Sequence, residues 1–217
     1  MEAIIAPSLL SANFSNFSFA VDSIKRAHAE WVHFDVMDGS FVPNLTFGHK
    51  VVADLRSESD LVFDVHLMVE KPESVAPRFI DAGADNITFH AEAAVHAHHL
   101  LSLIRCSGKK AGISIVPTTS VATIEEALPF TDIILVMTVN PGFSGQNMIP
   151  ECLEKVKKLV KIREERGLSF QISVDGGVHV ANARQCFEAG ADILVTGSAF
   201  FEADDKSALV KHLKGRI

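Results

Sequence analysis

The sequence predicts a (β/α)₈ barrel that forms a single domain. Short apolar or β-branched runs alternate with helical patterns from end to end, and the connections are too short for an inserted domain. Regular alternation of this kind indicates a parallel sheet covered by helices. Eight such units favour a closed barrel over an open doubly wound sheet, and 217 residues suffice for a compact barrel. We therefore expect one domain over residues 1–217.

Each element has a local signal. The predicted strands are short apolar runs at residues 4–8, 31–36, 62–69, 86–90, 111–115, 132–137, 170–174 and 192–195. Apolar residues at helical spacing predict helices at 13–27, 50–56, 72–83, 94–106, 121–128, 150–166, 180–189 and from 205 onward. Pro72 and Pro150 stand in first turns, where a missing N–H costs nothing. Trp31 is predicted to pack between a strand and a helix.

A short repeat supports the count of units. Ala-Gly-Ala-Asp ends at Asp85 before the fourth strand and again at Asp192 before the eighth. These are equivalent positions in two half-barrels. A glycine that ends a helix before a strand is common, so chance similarity remains an open explanation.

Composition and charge argue against several classes of partner. A formal net charge of −7, a pI of about 5.8 and the lack of a Lys/Arg run argue against nucleic acid binding. No segment approaches 18 uninterrupted apolar residues, so we expect no membrane insertion and a cytoplasmic location. Cys106, Cys152 and Cys186 show no CxxC pairing and are expected to be buried or inert thiols. A small solute is the expected partner.

Titratable side chains stand at the carboxyl ends of three predicted strands. Alternate side chains of a strand share a face, so His33 points with Asp35, and Asp64 points with His66. Asp175 follows a third strand. Active sites of barrels lie at this end of the strands. Two imidazoles and two carboxylates suit Zn²⁺, Fe²⁺, Mn²⁺ or Co²⁺, and the set does not choose among these ions.

Glycine-rich loops follow the last three predicted strands. They contain residues 142–145, Gly176 with Gly177, and Gly197 with Ser198. Backbone N–H groups can close on phosphate oxygens where no Cβ intervenes, and a helix N-terminus adds partial positive charge. Glycine also permits tight turns without any ligand. Three adjacent loops favour a phosphate site, and hence a phosphorylated substrate.

Several motifs occur in a fixed order along the chain. They are Ala6-Pro-Ser-Leu-Leu-Ser11, His33-x-Asp35 continuing into Met37-Asp-Gly-x-Phe-Val-Pro-Asn44, Asp64-Val-His-Leu-Met68, Met137 with Asn140-Pro-Gly-Phe143, Val174-Asp-Gly-Gly177 and Gly197-Ser198. In these motifs the sequence resembles the ribulose-phosphate 3-epimerase family, over about residues 3–202. The sequence departs from the usual motifs of this family at two places. Ser144 stands where the family often has glycine, and Val116-Pro-Thr replaces the more usual Asn-Pro after strand five. Each departure could shift substrate preference.

The resemblance implies a barrel of the ribulose-phosphate-binding type and a metal-dependent 3-epimerase of the pentose phosphate pathway. Such an enzyme interconverts D-ribulose 5-phosphate and D-xylulose 5-phosphate and forms a homo-oligomer. The implied ligands of one divalent ion per subunit are His33, Asp35, His66 and Asp175. The implied substrate contacts are Ser8, His66, Gly142, Phe143, Ser144, Gly145, Gly176, Gly177, Gly197 and Ser198.

The expected chemistry can also be argued from the residues. Inverting a carbon next to a ketone requires removing its proton from one face and returning a proton to the other. Asp35 and Asp175 can approach from opposed walls of a barrel, one as base and one as acid, while a divalent ion stabilises the enediolate. Met37, Met68 and Met137 could shield that enediolate. Ordinary core packing of these methionines remains an equal alternative.

Other functions and roles stay open at this stage. A hexulose 6-phosphate 3-epimerase is the close alternative, and a metal-dependent lyase is harder to separate. A Schiff-base aldolase is disfavoured because the inward positions of strand six carry Ile133, Leu135 and Met137. A silent phosphosugar-binding barrel would be expected to lack one of the two acid/base carboxylates. His90 could contact the metal ligands indirectly, and Asp64 could orient an imidazole or bind the backbone.

Overall fold

The computed structural model describes residues 3–215 and contains the predicted barrel. Within this range eight parallel strands form one nearly closed sheet. They are β1 (Ile4–Pro7), β2 (Trp31–Met37), β3 (Val62–Met68), β4 (Asn86–His90), β5 (Lys110–Ile115), β6 (Ile133–Met137), β7 (Gln171–Asp175) and β8 (Ile193–Thr196). Each predicted strand is confirmed to within one residue at either end. Residues 1, 2, 216 and 217 of the predicted domain lie outside the described part.

The barrel closes at the seam between its first two strands. Around the sheet the order is β1-β8-β7-β6-β5-β4-β3-β2, and every pairing is parallel. A parallel bridge between Ser8 and His33 joins β1 to β2. The closure therefore lies directly beside the side chains of the expected site.

Helices connect the strands and cover the outside of the barrel. They are α1 (Phe17–Arg26), α2 (His49–Arg56), α3 (Pro72–Asp81), α4 (Ala97–Cys106), α5 (Leu153–Glu165), α6 (Val180–Ala189), α7 (Ser198–Phe201) and α8 (Lys206–Leu213). The helix predicted from residue 13 begins only at Phe17, because the Asn16 side chain caps it by accepting from the Phe19 N–H. The short helix α7, ahead of α8, is an addition to the prediction.

The helix predicted at 121–128 is a 3₁₀ helix over Val121–Phe130 rather than an α-helix. Its buried residues Val121 and Ile124 are three positions apart, which matches the three-residue period of a 3₁₀ helix. Pro129 within it supplies no N–H. Single 3₁₀ turns also occupy Ala91–Ala93 and Pro150–Cys152. The second one moves the start of α5 from the predicted residue 150 to Leu153, and α4 begins at Ala97, three residues later than predicted.

The interior of the barrel changes from apolar to polar along its axis. Trp31 packs there with Ala6, Ile133, Ile193 and Val195. The predicted position of Trp31, between strand and helix, is therefore wrong, because Trp31 shares the inward parity of the alternate residues on β2. This apolar layer forms the floor beneath the polar residues at the carboxyl ends of the strands.

The three cysteines differ in exposure. Cys152 and Cys186 are buried, and burial raises the pKa of both thiols, that of Cys186 to about 11. Cys106 is exposed at the end of α4. Among the helices of the described range, none has the length and apolar character needed to cross a membrane.

A repeated carboxylate contact holds the amino-terminal end of the barrel. The acidic residues directly before the even-numbered strands are Glu30, Asp85, Asp132 and Asp192. Each accepts a hydrogen bond at 2.8–3.1 Å from a backbone N–H of the preceding odd-numbered strand, at Ile5, Phe63, Ala111 and Ile172 respectively. Each also faces one cation, in the same order Lys214, Arg56, Arg105 and Arg163. The Ala-Gly-Ala-Asp repeat therefore corresponds to a repeated structural contact.

We predict that Asp192→Ala lowers the free energy of unfolding by about 2–3 kcal/mol, because charge-assisted hydrogen bonds contribute about 1.5–3 kcal/mol each. Asp192 accepts from the Ile172 N–H at 2.8 Å and from Arg163 Nη1 at 2.6 Å. Urea unfolding at neutral pH measures the change. Asp192→Asn keeps one acceptor and should lose less. Equal losses in the two variants, or no loss in either, would contradict this account.

Candidate active site

Four side chains converge at the carboxyl ends of three strands. His33 and Asp35 come from β2, His66 comes from β3, and Asp175 is the last residue of β7. One nitrogen or oxygen atom of each lies within 4.8 Å of the corresponding atoms of the others. These are the four residues that the sequence predicted, and together they could hold a divalent metal ion.

The ring nitrogens in this cluster are suited to bind an ion. His33 Nε2 is buried and has no hydrogen-bond partner among residues 3–215. It lies 3.3 Å from Asp35 Oδ1 and 3.9 Å from Asp175 Oδ2. His66 Nδ1 lies 3.0 Å and 3.9 Å from the same two oxygens. Because a buried polar atom without a partner is unfavourable, the unpaired His33 Nε2 fits a ligand for a cation.

Further side chains fix the orientation of the four. Asp64 Oδ2 lies 2.8 Å from His33 Nδ1, so Asp64 orients an imidazole, one of the two roles left open by the sequence. The Ser8 hydroxyl donates to Asp35 Oδ2 at 2.5 Å. Thr46 Oγ1 donates to the Asp35 carbonyl at 2.7 Å. His90 contacts His66 ring to ring, with 2.9 Å between their Nε2 atoms.

The two carboxylates of the cluster have opposite proton affinities. Burial opposes ionisation of Asp35, but the charge of His33 and the hydrogen bond of His66 outweigh it and lower the pKa of Asp35 well below the usual range. Burial and the charge of Asp35 raise the pKa of Asp175 to about 7. One carboxyl group is therefore ionised where the other still holds its proton.

The two imidazoles also differ. Burial opposes a charge on His33, but Asp35 and Asp64 outweigh it and raise the pKa of His33 well above 6.5. Burial lowers the pKa of His66 to about 4, with the neighbouring His90 acting in the same direction. His66 is therefore neutral at physiological pH.

A cavity of about 200 Å³ opens above the cluster. Ser8, Asp35 and Asp175 line its base, and the predicted shielding residues Met37, Met68 and Met137 line its wall. The remaining predicted contacts all line the same cavity: Gly142, Phe143, Ser144, Gly145, Gly176, Gly177, Gly197 and Ser198. The structure thus brings together every predicted site residue, with His33 and His66 fully buried beside the carboxylates.

Sequence reasoning missed some residues of this cavity. Ser11, Gln146 and His179 also line it. Ser11 belongs to the first motif, and His179 caps α6 directly after the Gly176-Gly177 loop. Their proximity to predicted motif residues was the available signal.

The glycines after β7 are required by both conformation and space. Gly176 has φ +118° and Gly177 has φ +67°, values that favour glycine. A Cβ on Gly177 would lie 2.4 Å from the Met148 backbone nitrogen, and one on Gly176 would lie 2.5 Å from Val139 Cγ2. Glycine is therefore required at both positions, because the backbone turns tightly there and because the loops after β6 and β7 lie close together.

Comparisons with known proteins agree with the geometry. The model of the Ribulose-phosphate 3 epimerase family matches residues 4–201. A ribulose-phosphate 3-epimerase of Treponema pallidum is 56% identical over 211 residues, which cover 97% of each chain. One of Bacillus subtilis is 42% identical over 212 residues, 97% of this chain and 98% of that one. The structure of a 3-keto-L-gulonate-6-phosphate decarboxylase from Vibrio cholerae has a TM-score of 0.74 at 15% identity, covering 100% and 97% of the two chains, and shows the fold alone.

We predict that metal affinity rises steeply between about pH 6 and 8, because a metal ion must displace the protons held by Asp175 and His33. Both groups have pKa values raised above their usual ones, so both are protonated at the lower end of this window. The pKa values of Asp35 and His66 are lowered, so we expect neither residue to release a proton when the ion binds. Calorimetry in buffers of different ionisation enthalpy should detect more than one proton released per ion at pH 6. The Asp175→Asn variant should release fewer. Affinity that does not change with pH would contradict these charge states.

Proposed function

The chain belongs to the ribulose-phosphate 3-epimerase family, and from this premise we propose how its site interconverts D-ribulose 5-phosphate and D-xylulose 5-phosphate. The protein is an isomerase of the epimerase class, with a role in the pentose phosphate pathway that fits the family. The observation that carries the mechanism is that Asp35 and Asp175 reach one cavity from different walls of the barrel.

The positions of the two aspartates suit proton transfer on opposite faces of a planar intermediate. Around the barrel β1 and β8 separate β2 from β7, so the two carboxylates do not come from adjacent strands. We assign Asp35, the ionised group, as the base that removes the C3 proton in one direction. We assign Asp175 as the acid that supplies a proton to the other face. The two residues exchange roles in the reverse reaction.

We propose that His33, Asp35, His66 and Asp175 hold one divalent ion per subunit, either Zn²⁺, Fe²⁺, Mn²⁺ or Co²⁺. The donor set supports this class of ion. When bound, the ion would supply Lewis-acid stabilisation of negative charge on the substrate oxygens. Ser8 and His66 are the proposed substrate contacts nearest to this cluster.

The rest of the cavity is assigned to the phosphate and to exclusion of water. We assign the loops after β6, β7 and β8 as the phosphate clamp, since their glycines line the cavity on one side. Met37, Met68 and Met137 are almost fully buried, and they line the cavity. A thioether has no proton to donate, so these side chains can cover a carbanionic intermediate without quenching it. The homo-oligomeric assembly and cytoplasmic location stay predictions.

The experiment that tests the substrate compares D-ribulose 5-phosphate with D-allulose 6-phosphate in deuterated water, with metal-loaded and chelator-treated protein. We expect faster turnover of the pentulose by at least about tenfold, since one additional carbon unit in a closed pocket typically changes specificity by 10–200-fold. Deuterium should enter at C3, and the chelator should stop the reaction. Faster hexulose turnover would leave the mechanism intact but make the substrate wrong. No epimerisation of either would favour a lyase or a binding protein.

We predict that Asp175→Asn lowers the epimerisation rate by at least about 10²–10⁴, the usual contribution of a positioned acid or base. Since Asp35 remains, the variant should still exchange the C3 proton of one epimer with solvent. NMR of the recovered sugar phosphates measures exchange, with metal content determined in parallel. The matched control is Asp60→Asn, an exposed carboxylate ahead of β3, which should behave as wild type. Full epimerase activity in Asp175→Asn would exclude the two-base assignment.

A further inference from the structure

A line of hydrogen bonds leads away from the metal-facing side of His66. Its Nε2 lies 2.9 Å from His90 Nε2, and His90 Nδ1 lies 3.3 Å from Glu92 Oε2. Both rings are fully buried, and their centroids are 4.9 Å apart. The ring of Phe41 covers His90 at 4.6 Å. Both nitrogens of both rings therefore have a polar neighbour, although the expected mechanism uses only His66 Nδ1.

The carboxylate at the end of this line is anchored independently of the rings. Glu92 Oε1 accepts from the Val116 N–H at 2.9 Å, and Thr119 donates a further hydrogen bond. The Val116 carbonyl in turn accepts from Lys155 Nζ at 2.8 Å. Burial opposes ionisation, but the bonds from His90, Thr119 and Val116 lower the pKa of Glu92 to about 2. Glu92 is therefore an ionised group that can only accept.

The far end of the line is an acceptor, and it determines where the protons would lie when an ion occupies His66 Nδ1. In the cluster as described, His66 Nδ1 lies 3.0 Å from Asp35 Oδ1 and can donate to that carboxylate. An ion on Nδ1 would leave the ring proton of His66 on Nε2, which faces His90 Nε2. His90 would then accept at Nε2 and donate from Nδ1 to Glu92.

His33, the other imidazole of the cluster, is paired with a carboxylate directly, without a second histidine between them. His33 Nδ1 lies 2.8 Å from Asp64 Oδ2, which leaves Nε2 facing the cluster. In both rings the nitrogen remote from the site is tied to a carboxylate, directly for His33 and through His90 for His66. A carboxylate–histidine pair of this kind fixes the tautomer of a metal-binding ring.

We propose that Glu92 and His90 are positioning residues that accept the Nε2–H of His66 and so present its Nδ1 to the divalent ion. This inference rests on the metal site of the proposed function. It also assigns a role to the Val116-Pro-Thr segment after β5, whose backbone holds the Glu92 carboxylate.

The test uses the isosteric variant Glu92→Gln. The Val116 N–H needs an acceptor, so the amide oxygen takes the Oε1 position and the NH₂ group faces His90. His90 Nδ1 must then accept, so His90 carries its proton on Nε2, where it opposes the Nε2–H that a metal-bound His66 would carry. Metal affinity should fall by about 10–100-fold, the usual effect of losing a partner of a ligand histidine. The matched control is Glu126→Gln on the exposed side of the 3₁₀ helix, which should bind metal as wild type does.

The second readout is ¹⁵N NMR of the histidine rings in protein loaded with Zn²⁺, which distinguishes protonated from bare ring nitrogens. We expect Nε2–H on His66 and Nδ1–H on His90 in the wild type, and Nε2–H on His90 in Glu92→Gln. An Nε2–H tautomer of His90 in the Zn²⁺-loaded wild type, or Glu92→Gln affinity equal to that of Glu126→Gln, would overturn the inference. The proposed function is tested separately: a wild type that binds metal with the expected tautomers but does not epimerise ribulose 5-phosphate would refute the function alone.

Discussion

The site depends on the pairing of buried imidazoles with carboxylates inside the barrel. His33 and His66 are almost completely buried, where an unpaired polar group is costly. Asp64 contacts the remote nitrogen of His33, and His90 contacts that of His66. These contacts turn the opposite nitrogens toward Asp35 and Asp175. The orientation of the donor set is thus established by the folded chain itself.

The amino-terminal end of the barrel carries stabilising contacts, and the carboxyl end carries the candidate active site. At the amino-terminal end, carboxylates before the even-numbered strands bind backbone N–H groups and cations, as Asp85 does with Phe63 and Arg56. At the carboxyl end, similar carboxylates face a cavity and two imidazoles. Loops there are tied to one another: Asn44 Nδ2 donates to the Gly142 carbonyl at 3.1 Å. Such contacts link the loop after β2, the strand of His33 and Asp35, to the proposed phosphate clamp.

Much of the fold and the site could be predicted because both follow from strand periodicity. Alternate residues of one strand share a face, so His33 and Asp35 had to point together, and a barrel places them beside His66. The prediction for Trp31 was wrong although the same rule applied, since a large aromatic was assigned to the outer layer rather than to the floor of the interior. The 3₁₀ helix at Val121–Phe130 has apolar spacing that an α-helix also satisfies over two turns.

The partners of a residue across the fold were beyond sequence reasoning. His90 was a candidate from its parity, but Glu92 lies in a 3₁₀ turn beyond the strand, where parity no longer applies. Its anchor, Val116, is 24 residues away along the chain. Contacts of this kind depend on the register between β4 and β5, which only the folded barrel provides.

The central claim is that one divalent ion binds between Asp35 and Asp175 on the two imidazoles. The most direct measurement is anomalous X-ray diffraction at the absorption edge of the metal, from crystals of the protein as purified from a metal-supplemented culture. The account predicts one anomalous peak per subunit, within bonding distance of His33 Nε2, His66 Nδ1 and both carboxylates. A metal-replete crystal with no peak at this position, or with the ion held by other residues, would contradict it.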